Sequence, residues 1–342
     1  MKKIIKVFQI GRYLNTYIHK IYISSPVSYF MYKVEEIYPD KKDQLIEEFK
    51  DRIFYERKAD MAGMCIKLLT DNHTFKDMWE DNFKQMLDYI RPHGRIFALN
   101  DGGDLKVFYE PISKTCFIFN SKYYGYVKSL ALAIAGDFLE EYYSIHSRYS
   151  VHGAAIEYKG NGISLIAPSG TGKTTHSYGL LLLKNTKLIA DDWYYTQILG
   201  DSVVARASEK NCYIRKDIAS IYPEFQKIIK NVEFDTKQRA VVDISWVIGK
   251  TRTKDETTMR KVIFLKRDDE KELYYEMDWK EALDYLLKND FCNPHQLVRN
   301  ERKIRIRKEF FENYFKLVDL YMVNTRTPPK ETQKNIRKIV TS

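Results

Sequence analysis

The spacing of hydrophobic and polar residues predicts a chain that mixes helices with strands. Apolar residues recur at three- and four-residue steps over 41–57 and over 75–90, which predicts an amphipathic helix in each segment. Two short apolar runs at 105–109 and 115–120, parted by a turn-like segment, are typical of strands. A longer helix with one core-facing stripe is predicted over 126–146. That stripe consists of Val127, Ala131, Ile134, Phe138, Tyr142 and Ile145.

From residue 151 onward the pattern changes to short apolar runs joined by glycine-containing turns. It predicts a strand over 151–158, a tight turn, and a buried strand over 163–166. A helix over 173–183 and a strand over 187–190 follow. Farther along, strands are predicted at 240–247, 262–266 and 320–323, and helices at 278–288, 309–318 and 330–340.

This order of elements predicts the fold class and a division into two regions. A strand, a glycine loop, a helix and a second strand ending in carboxylates are arranged as in an α/β nucleotide-binding core. We therefore expect an α/β fold with a catalytic domain over 147–342. Residues 1–146 would form an accessory α+β region that ends in the long helix. Its first 120 residues carry no catalytic signature.

Composition and charge narrow the class of protein and the kind of partner. The 342 residues are 44% hydrophobic and 30% charged, which argues for a globular protein and against a disordered one. The net charge of +10 favours an anionic ligand, an acidic protein or nucleic acid as partner. Lys6 and Arg12 interrupt the apolar N-terminal stretch, which argues against a signal peptide. No apolar run is long enough for a membrane-spanning helix. Four scattered cysteines suit a reducing compartment, so we expect a cytoplasmic protein.

A glycine-rich motif at 167–174 is the candidate nucleotide site. Its sequence, Ala-Pro-Ser-Gly-Thr-Gly-Lys-Thr, fits the P-loop pattern with alanine in place of the first glycine. Gly170 and Gly172 would let the backbone curl so that its N–H groups point at phosphate oxygens. Lys173 would reach the β- and γ-phosphates, and the Thr174 hydroxyl would bind Mg²⁺. The predicted nucleotide-binding residues are Pro168, Ser169, Gly170, Thr171, Gly172, Lys173, Thr174 and Thr175.

Two adjacent carboxylates, Asp191 and Asp192, close the next predicted strand. The carboxyl ends of strands in an α/β sheet form the crevice where ligands bind. Magnesium that bridges two phosphates needs a carboxylate, and transfer to a hydroxyl needs a base. The pair could divide these two roles. An acidic helix cap or turn pair is the structural alternative.

The stretch VHGAAIEYKGNGISLIAPSGTGKTTHS, followed by KLIADDW, resembles the catalytic domain of HPr kinase/phosphorylase and its relatives. The shared marks are a His-Gly pair on the strand before the loop, a Gly-x-Gly turn, the P-loop and Ala-Asp-Asp after the next strand. Weaker similarity continues through SEKNCYIR and RAVVDISWVIGK. The resemblance implies the P-loop core that this family shares with phosphoenolpyruvate carboxykinase.

The resemblance also implies roles for individual side chains. His152 would lie beside the transferring phosphoryl group and help to position the paired carboxylates. Asp191 would act as general base towards the acceptor hydroxyl, and Asp192 would serve the metal. Glu209 would be a further carboxylate on the metal side. For His152 and Glu209, a structural or solvated role is the alternative.

The segment after the carboxylate pair departs from the family. The resemblance implies that Arg215 or Arg239 balances the charge of the phosphates, with a structural role as the alternative. HPr kinases carry a glycine-rich stretch after the Glu-x-Arg in this region, whereas SEKNCYIRKDIAS has no glycine. The first 120 residues are also unlike those of HPr kinase. Both departures favour an acceptor other than HPr and leave the reverse, phosphorylase reaction in doubt.

A basic run at 299–308 has two interpretations. In a strand, Lys303, Arg305 and Arg307 would share one face, opposite two isoleucines. A solvated charged face is the first interpretation, and a docking surface for an acidic peptide or nucleic acid is the second. No nucleic-acid-binding module accompanies the run, so nucleic acid is disfavoured as a partner.

These observations lead to one principal functional hypothesis. It is an ATP- and Mg²⁺-dependent kinase that transfers the γ-phosphoryl group to a hydroxyl, a serine of a peptide or protein other than HPr. The alternatives are a small-molecule kinase or phosphoenolpyruvate carboxykinase-like phosphotransferase, and a non-catalytic nucleotide-binding regulatory protein. The intact Lys173, Thr174, Asp191 and Asp192 argue against the non-catalytic alternative. Whether the chain forms a homo-oligomer stays open.

Overall fold

Two β-sheets with a buried helix between them organise the structure, a computed structural model that describes residues 32–141 and 147–342. Val34–Ser342 form a single unit. The sheets contain both parallel and antiparallel pairs, so the protein belongs to the mixed α/β class. The described α-helices are Pro39–Phe49 (α1), His73–Asn82 (α2), Tyr124–Glu141 (α3), Lys173–Leu181 (α4), Ile218–Ile221 (α5), Gln226–Ile229 (α6), Ser245–Ile248 (α7), Trp279–Lys288 (α8), Glu301–Phe315 (α9) and Pro329–Thr341 (α10).

The N-terminal sheet has seven strands: Val34–Glu36 (β1), Tyr55–Met61 (β2), Met64–Thr70 (β3), Lys84–Gln85 (β4), Gly94–Leu99 (β5), Lys106–Glu110 (β6) and Thr115–Phe119 (β7). Their spatial order is β1, β6, β7, β5, β3, β2, β4. The central strands β3, β5 and β7 run parallel and are largely buried on both faces, because α1 and α3 cover the sheet from opposite sides. Strands of this kind are continuous apolar runs without alternation. Because β3 and β5 do not alternate apolar with polar residues, the sequence pattern did not predict these two strands.

The second sheet has eight strands: Arg148–Tyr158 (β8), Asn161–Ile166 (β9), Thr186–Ala190 (β10), Trp193–Leu199 (β11), Ser202–Ala207 (β12), Glu256–Lys266 (β15), Tyr274–Glu276 (β16) and Asp319–Asn324 (β17). β9 pairs with both β8 and β15. β8 also pairs with β11, β11 pairs with β12, and β12 pairs with β15, so β8 and β15 are connected a second time. The pairings therefore close into a ring of five strands around a shared core.

A separate two-stranded ribbon consists of Cys212–Arg215 (β13) and Arg239–Val242 (β14). The strand predicted over 240–247 is therefore too long, since α7 begins at Ser245. The Asp243 side chain accepts a hydrogen bond from the Ser245 N–H at 2.9 Å, and this local turn ends the strand.

Helix α3 packs on β3, β5 and β7 of one sheet and on β8 of the other. The helix predicted over 126–146 is confirmed for its described part, and residues 142–146 lie outside the described residues. The prediction that one stripe of this helix faces the core is wrong, because Leu130 and Leu132 are buried as completely as the stripe residues Val127 and Ala131. A helix between two sheets is surrounded by protein, so its polar residues are buried as well.

Two helices predicted in the N-terminal region are too long. The segment 41–57 divides, because α1 ends at Phe49 and β2 begins at Tyr55. Helix α2 ends at Asn82, and the sequence up to residue 90 contains only the short strand β4 and turns. Pairing of β2 with β3 along its whole length overrides the helical spacing of its side chains.

The basic run at 299–308 begins helix α9 and is not a strand. Asn300 caps the helix by accepting a hydrogen bond from the Lys303 N–H at 2.9 Å. Lys303 and Arg307 lie four residues apart and therefore share one face of the helix. They are only 2% and 1% exposed. Neither the solvated face nor the docking surface predicted for this run therefore applies to these two residues.

The buried face of α9 is held to α3 by ion pairs. Lys303 contacts Asp137 at 2.8 Å, and Arg307 pairs with Glu140. Lys114 also contacts the Asp137 carboxylate, at 2.6 Å. Burial disfavours the charge of Asp137, but the two lysines reverse this effect and lower its pKa. The charges neutralise one another, so Lys303 and Arg307 contribute to internal packing, whereas Arg299, Arg302, Arg305 and Lys308 are exposed.

All four cysteines are buried free thiols, as expected for small core residues. Burial raises the pKa of Cys116 far above its ordinary value, which keeps that thiol protonated. Within the described ranges, no helix combines the length and the apolar character needed to cross a bilayer.

Candidate active site

The glycine loop joins the end of β9 to the start of α4 at Lys173, so the predicted order of strand, loop and helix is present. Gly170 and Gly172 have φ values of +83° and +99°, in the left-handed region that side chains with a Cβ disfavour. The Thr325 hydroxyl holds the loop by donating to the carbonyl of Thr171 at 2.8 Å. The chain thus turns in front of the N-terminus of α4, where the helix dipole favours anions.

Asp191 and Asp192 occupy the short break between β10 and β11, two strands that both pair with β8. The register places Trp193 opposite His152. Asp192 therefore lies beside this histidine, whose Nε2 is 3.2 Å from its Oδ1. Lys173 reaches the same carboxylate oxygen from α4 at 2.6 Å. The loop helix, the carboxylate pair and the histidine strand converge at one place.

Asp192 is contacted by three basic groups. Lys173 and His152 approach its Oδ1, and Lys128 of α3 approaches its Oδ2 at 3.3 Å. Burial alone would raise the pKa of this carboxyl group. The three basic groups outweigh burial and hold the pKa of Asp192 well below its usual value. Asp192 is therefore an anion at neutral pH, as a ligand for a cation must be.

Asp191 has the opposite electrostatic environment. It is 5% exposed and accepts a hydrogen bond from the Tyr178 hydroxyl at 3.0 Å. Burial raises the pKa of Asp191, Lys128 opposes this shift, and the charge of Asp192 adds to it. Two neighbouring carboxyl groups with pKa values shifted apart are suited to different tasks, one as an ion and one as a proton acceptor.

His152 is fixed through both ring nitrogens. Its Nδ1 lies 2.5 Å from the carbonyl oxygen of Cys292. A carbonyl oxygen only accepts hydrogen bonds, so Nδ1 carries a proton, and Nε2 needs a second proton to donate to Asp192. Burial lowers the pKa of His152, and Lys173 lowers it further, against the attraction of Asp192. The hydrogen bond to Asp192 therefore belongs to the cationic form of the ring.

Glu209 is held by side chains from the N-terminal half of the chain. Its carboxylate accepts hydrogen bonds from Lys128 at 3.1 Å and 3.3 Å, and from the side-chain amide of Asn82 at 2.8 Å. Burial raises the pKa of Glu209 to about 7, although Lys128 opposes this shift. Lys128 thereby connects Glu209 with Asp192, so the three carboxylates and two lysines form one cluster.

The two candidate arginines lie opposite each other in the ribbon of β13 and β14. The guanidinium of Arg239 is 5.6 Å from the centre of the Tyr213 ring. Burial lowers the pKa of Arg239, but neighbouring tyrosines and Asp192 raise it overall, so Asp192 of the cluster acts on the charge of Arg239. Arg215 is exposed and pairs with Asp217 at 2.8 Å. The structure therefore brings Arg239 towards the cluster and leaves Arg215 at the surface.

Comparison with curated proteins finds relatives with a named activity. The chain is 26% identical over 174 residues to the HPr kinase/phosphorylase of Lactobacillus johnsonii, and equally to that of Lactobacillus gasseri. The match covers 51% of this chain and 48% of each relative, so the chain spans about half the length of the curated relatives it matches. No protein-family model matches the chain. The chain is a distant relative of HPr kinase/phosphorylase.

The oxygen donors of this site can be compared with those that a divalent cation needs. Thr174 lies in the first turn of α4, and Asp192 is anionic, so hard oxygen donors are present. Among the described residues, no three His, Cys, Asp or Glu side chains are arranged to hold an ion by themselves. Mg²⁺ usually binds through one or two carboxylates together with waters and substrate phosphates, so the donor set fits this ion.

Sequence reasoning missed Lys128 and Asn82, because both belong to the predicted accessory region 1–146, in which no site residue was proposed. A signal for Lys128 was present. It is the only charged residue in the segment 124–136, whose other residues are apolar or small. A lysine in such a helix has no solvated face and needs a buried anion. For Asn82 the sequence offers no comparable signal.

Proposed function

We propose that this chain is an ATP- and Mg²⁺-dependent kinase that transfers the γ-phosphoryl group to a serine hydroxyl of a peptide or protein other than HPr. The observation that carries the proposal is the convergence of Lys173, Asp192 and Asp191 behind a glycine loop at a helix N-terminus. Phosphoryl transfer is accelerated mainly by positioning and electrostatic stabilisation, and this cluster offers both. The distant relationship to HPr kinase/phosphorylase supports the same class of reaction.

In this proposal the loop is a P-loop, and the backbone of residues 168–175 binds the phosphates. Lys173 would exchange its contact with Asp192 for the β- and γ-phosphate oxygens. Thr174 and Asp192 would hold Mg²⁺, which when bound neutralises charge on the phosphates. Arg239 is better placed than Arg215 to balance the remaining negative charge.

Asp191 is the proposed general base. It accepts the proton of the acceptor hydroxyl while the hydroxyl oxygen bonds to the γ-phosphorus and the bond to ADP breaks. The raised pKa of Asp191 favours proton acceptance near neutral pH. His152 contacts Asp192 and positions the pair from the neighbouring strand.

Labelling separates the proposal from its alternatives. The protein is incubated with γ-labelled ATP, Mg²⁺ and a host lysate, and the labelled products are separated by size. Label on a serine of a polypeptide supports the proposal. Label on a small molecule favours the small-molecule kinase or the carboxykinase-like phosphotransferase. Tight ATP binding without any transfer favours the regulatory protein.

Asp191→Asn should lower kcat by about 10²-fold or more while ATP affinity changes little. The amide keeps the shape of the side chain but cannot take up the proton. Steady-state kinetics and calorimetry measure the two quantities. The matched control, Asp192→Asn, should instead raise the Mg²⁺ concentration needed for half-maximal rate. Indistinguishable behaviour of the two variants would contradict the division of roles.

A groove next to the cluster supports a polypeptide acceptor. It has a volume of about 840 Å³ and is bordered by β2, α2 and β4. Asn82 connects groove and cluster, because its amide binds Glu209 while its carbonyl accepts from the Lys210 N–H at 2.8 Å. Among the charged residues lining it, five are basic and three acidic. An acidic segment of the acceptor would therefore be attracted to it.

Replacing Lys67 and Lys84 in this groove by Gln should raise KM for the acceptor roughly three- to tenfold and leave kcat unchanged. Attraction between exposed charges is screened over about 8 Å at physiological salt, so added salt should raise the wild-type KM in the same way. The control removes two exposed charges elsewhere, with Arg302→Gln and Arg305→Gln on α9. An equal change of KM in both double variants would show that the groove has no special role.

A further inference from the structure

We infer that the ammonium of Lys128 takes the place that a second divalent cation would fill between Asp192 and Glu209. The chain would then supply one cation of the phosphoryl-transfer site from its own helix α3. This inference rests on the proposed kinase function and adds a positioning residue to it. It predicts that one Mg²⁺ accompanies ATP in the site.

The first argument is the geometry of the contacts. The Lys128 nitrogen lies 3.3 Å from Asp192 Oδ2, and 3.1 Å and 3.3 Å from the two oxygens of Glu209. One ammonium therefore bridges two carboxylates, and one of them through both of its oxygens. Carboxylates that share a divalent cation are arranged in the same way.

The second argument is that the two oxygens of the Asp192 carboxylate face different groups. Its Oδ1 faces Lys173 and His152, the side from which nucleotide phosphates would be approached. Its Oδ2 faces Lys128 alone among the described hydrogen-bond partners. If Lys173 turned to phosphate oxygens, Oδ1 would be free to help hold Mg²⁺, whereas Oδ2 would stay neutralised by Lys128.

The third argument is the anchoring of the lysine. Lys128 is 2% exposed, and its nitrogen lies 5.7 Å from the centre of the Tyr213 ring, which adds a cation–π contact. Helix α3 is packed between two sheets and cannot shift without disturbing both. A charge held in this way does not exchange with solvent ions. Asn82 also fixes Glu209, because its side-chain amide donates to Glu209 Oε1 at 2.8 Å.

The test counts metal ions and measures turnover. Electron paramagnetic resonance measures the Mn²⁺ bound in the presence of a non-hydrolysable ATP analogue. It should show one ion per wild-type chain. Lys128→Ala vacates the bridging position and should bind two. Its turnover of γ-labelled ATP should fall by about 10²-fold and should depend on the second power of the Mg²⁺ concentration. Added ethylammonium should restore part of the activity, since it supplies the missing cation.

Lys303→Met is the matched control for folding, because Lys303 is equally buried and pairs with Asp137 away from the cluster. It should lose stability but keep one Mn²⁺ per chain and wild-type turnover per folded molecule. Lys128→Met, which fills the space without charge, should lose turnover while still binding ATP. Wild-type turnover in Lys128→Met would overturn the inference. So would a single Mn²⁺ and no amine response in Lys128→Ala. Absence of turnover in the wild-type chain itself would instead count against the proposed kinase.

Discussion

Lys173→Ala should lower kcat/KM for ATP about 10³-fold or more, equivalent to about 4 kcal/mol, and should weaken ATP·Mg²⁺ binding. The substitution removes the ammonium that the loop and α4 place beside Asp192. The fold should persist, because Asp192 keeps Lys128 and His152 as partners. Calorimetry gives the affinity, kinetics give kcat/KM, and circular dichroism confirms that the variant is folded.

A control variant with the same chemical change is Lys227→Ala, which truncates an exposed lysine on α6. It should bind and turn over ATP as the wild type does. If Lys173→Ala also retained wild-type affinity for ATP, the P-loop assignment of 168–175 would have to be abandoned. The distant relationship to HPr kinase/phosphorylase would stand in that case, because it rests on sequence alone.

Arg307→Gln should destabilise the fold by about 3–5 kcal/mol, because it leaves the buried Glu140 carboxylate without its cation. The side chains of this pair are 1% and 5% exposed. Arg307 also donates to the Ser150 carbonyl at 3.2 Å, which connects α9 to β8. Urea unfolding followed by circular dichroism measures the change in the free energy of unfolding.

The matched control for this change is Arg302→Gln on the same helix. The side chain of Arg302 is 45% exposed and pairs with Glu141 at 3.1 Å, so its loss should cost about 1 kcal/mol or less. Replacing both members of the buried pair, with Arg307→Met and Glu140→Leu, should recover most of the lost stability. Equal unfolding free energies for Arg307→Gln and Arg302→Gln would show that the charge of Arg307 is solvated.

The features predicted correctly from sequence lie close together along the chain. The strand, the glycine loop, the helix and the following carboxylates fall within residues 151–192, where each element follows directly from local pattern. The glycines at 170 and 172 adopt positive φ values, as the motif requires. Because Lys173 and Asp192 are only 19 residues apart and joined by one helix and one strand, their meeting at 2.6 Å follows from the predicted order.

The errors lie where distant segments decide the outcome. The segment 55–57 has helical spacing, but pairing with β3 makes it part of a strand. The run at 299–308 was interpreted as a solvated charged face or a docking surface, and it forms a helix that buries Lys303 and Arg307. Local pattern shows which residues share a face. It does not show which partner that face meets.

The sequence by itself determined the loop, the carboxylate pair and the α/β class, because backbone conformation and short-range order depend on neighbouring residues. Tertiary structure alone decided which charges pair. Lys128 meets Asp192 and Glu209 across separations of 64 and 81 residues, and Asn82 meets Glu209 across 127. These contacts exist because α3 packs between two sheets, and a buried ammonium is stable only where packing supplies an anion. The N-terminal half therefore enters the candidate active site through packing that no local pattern encodes.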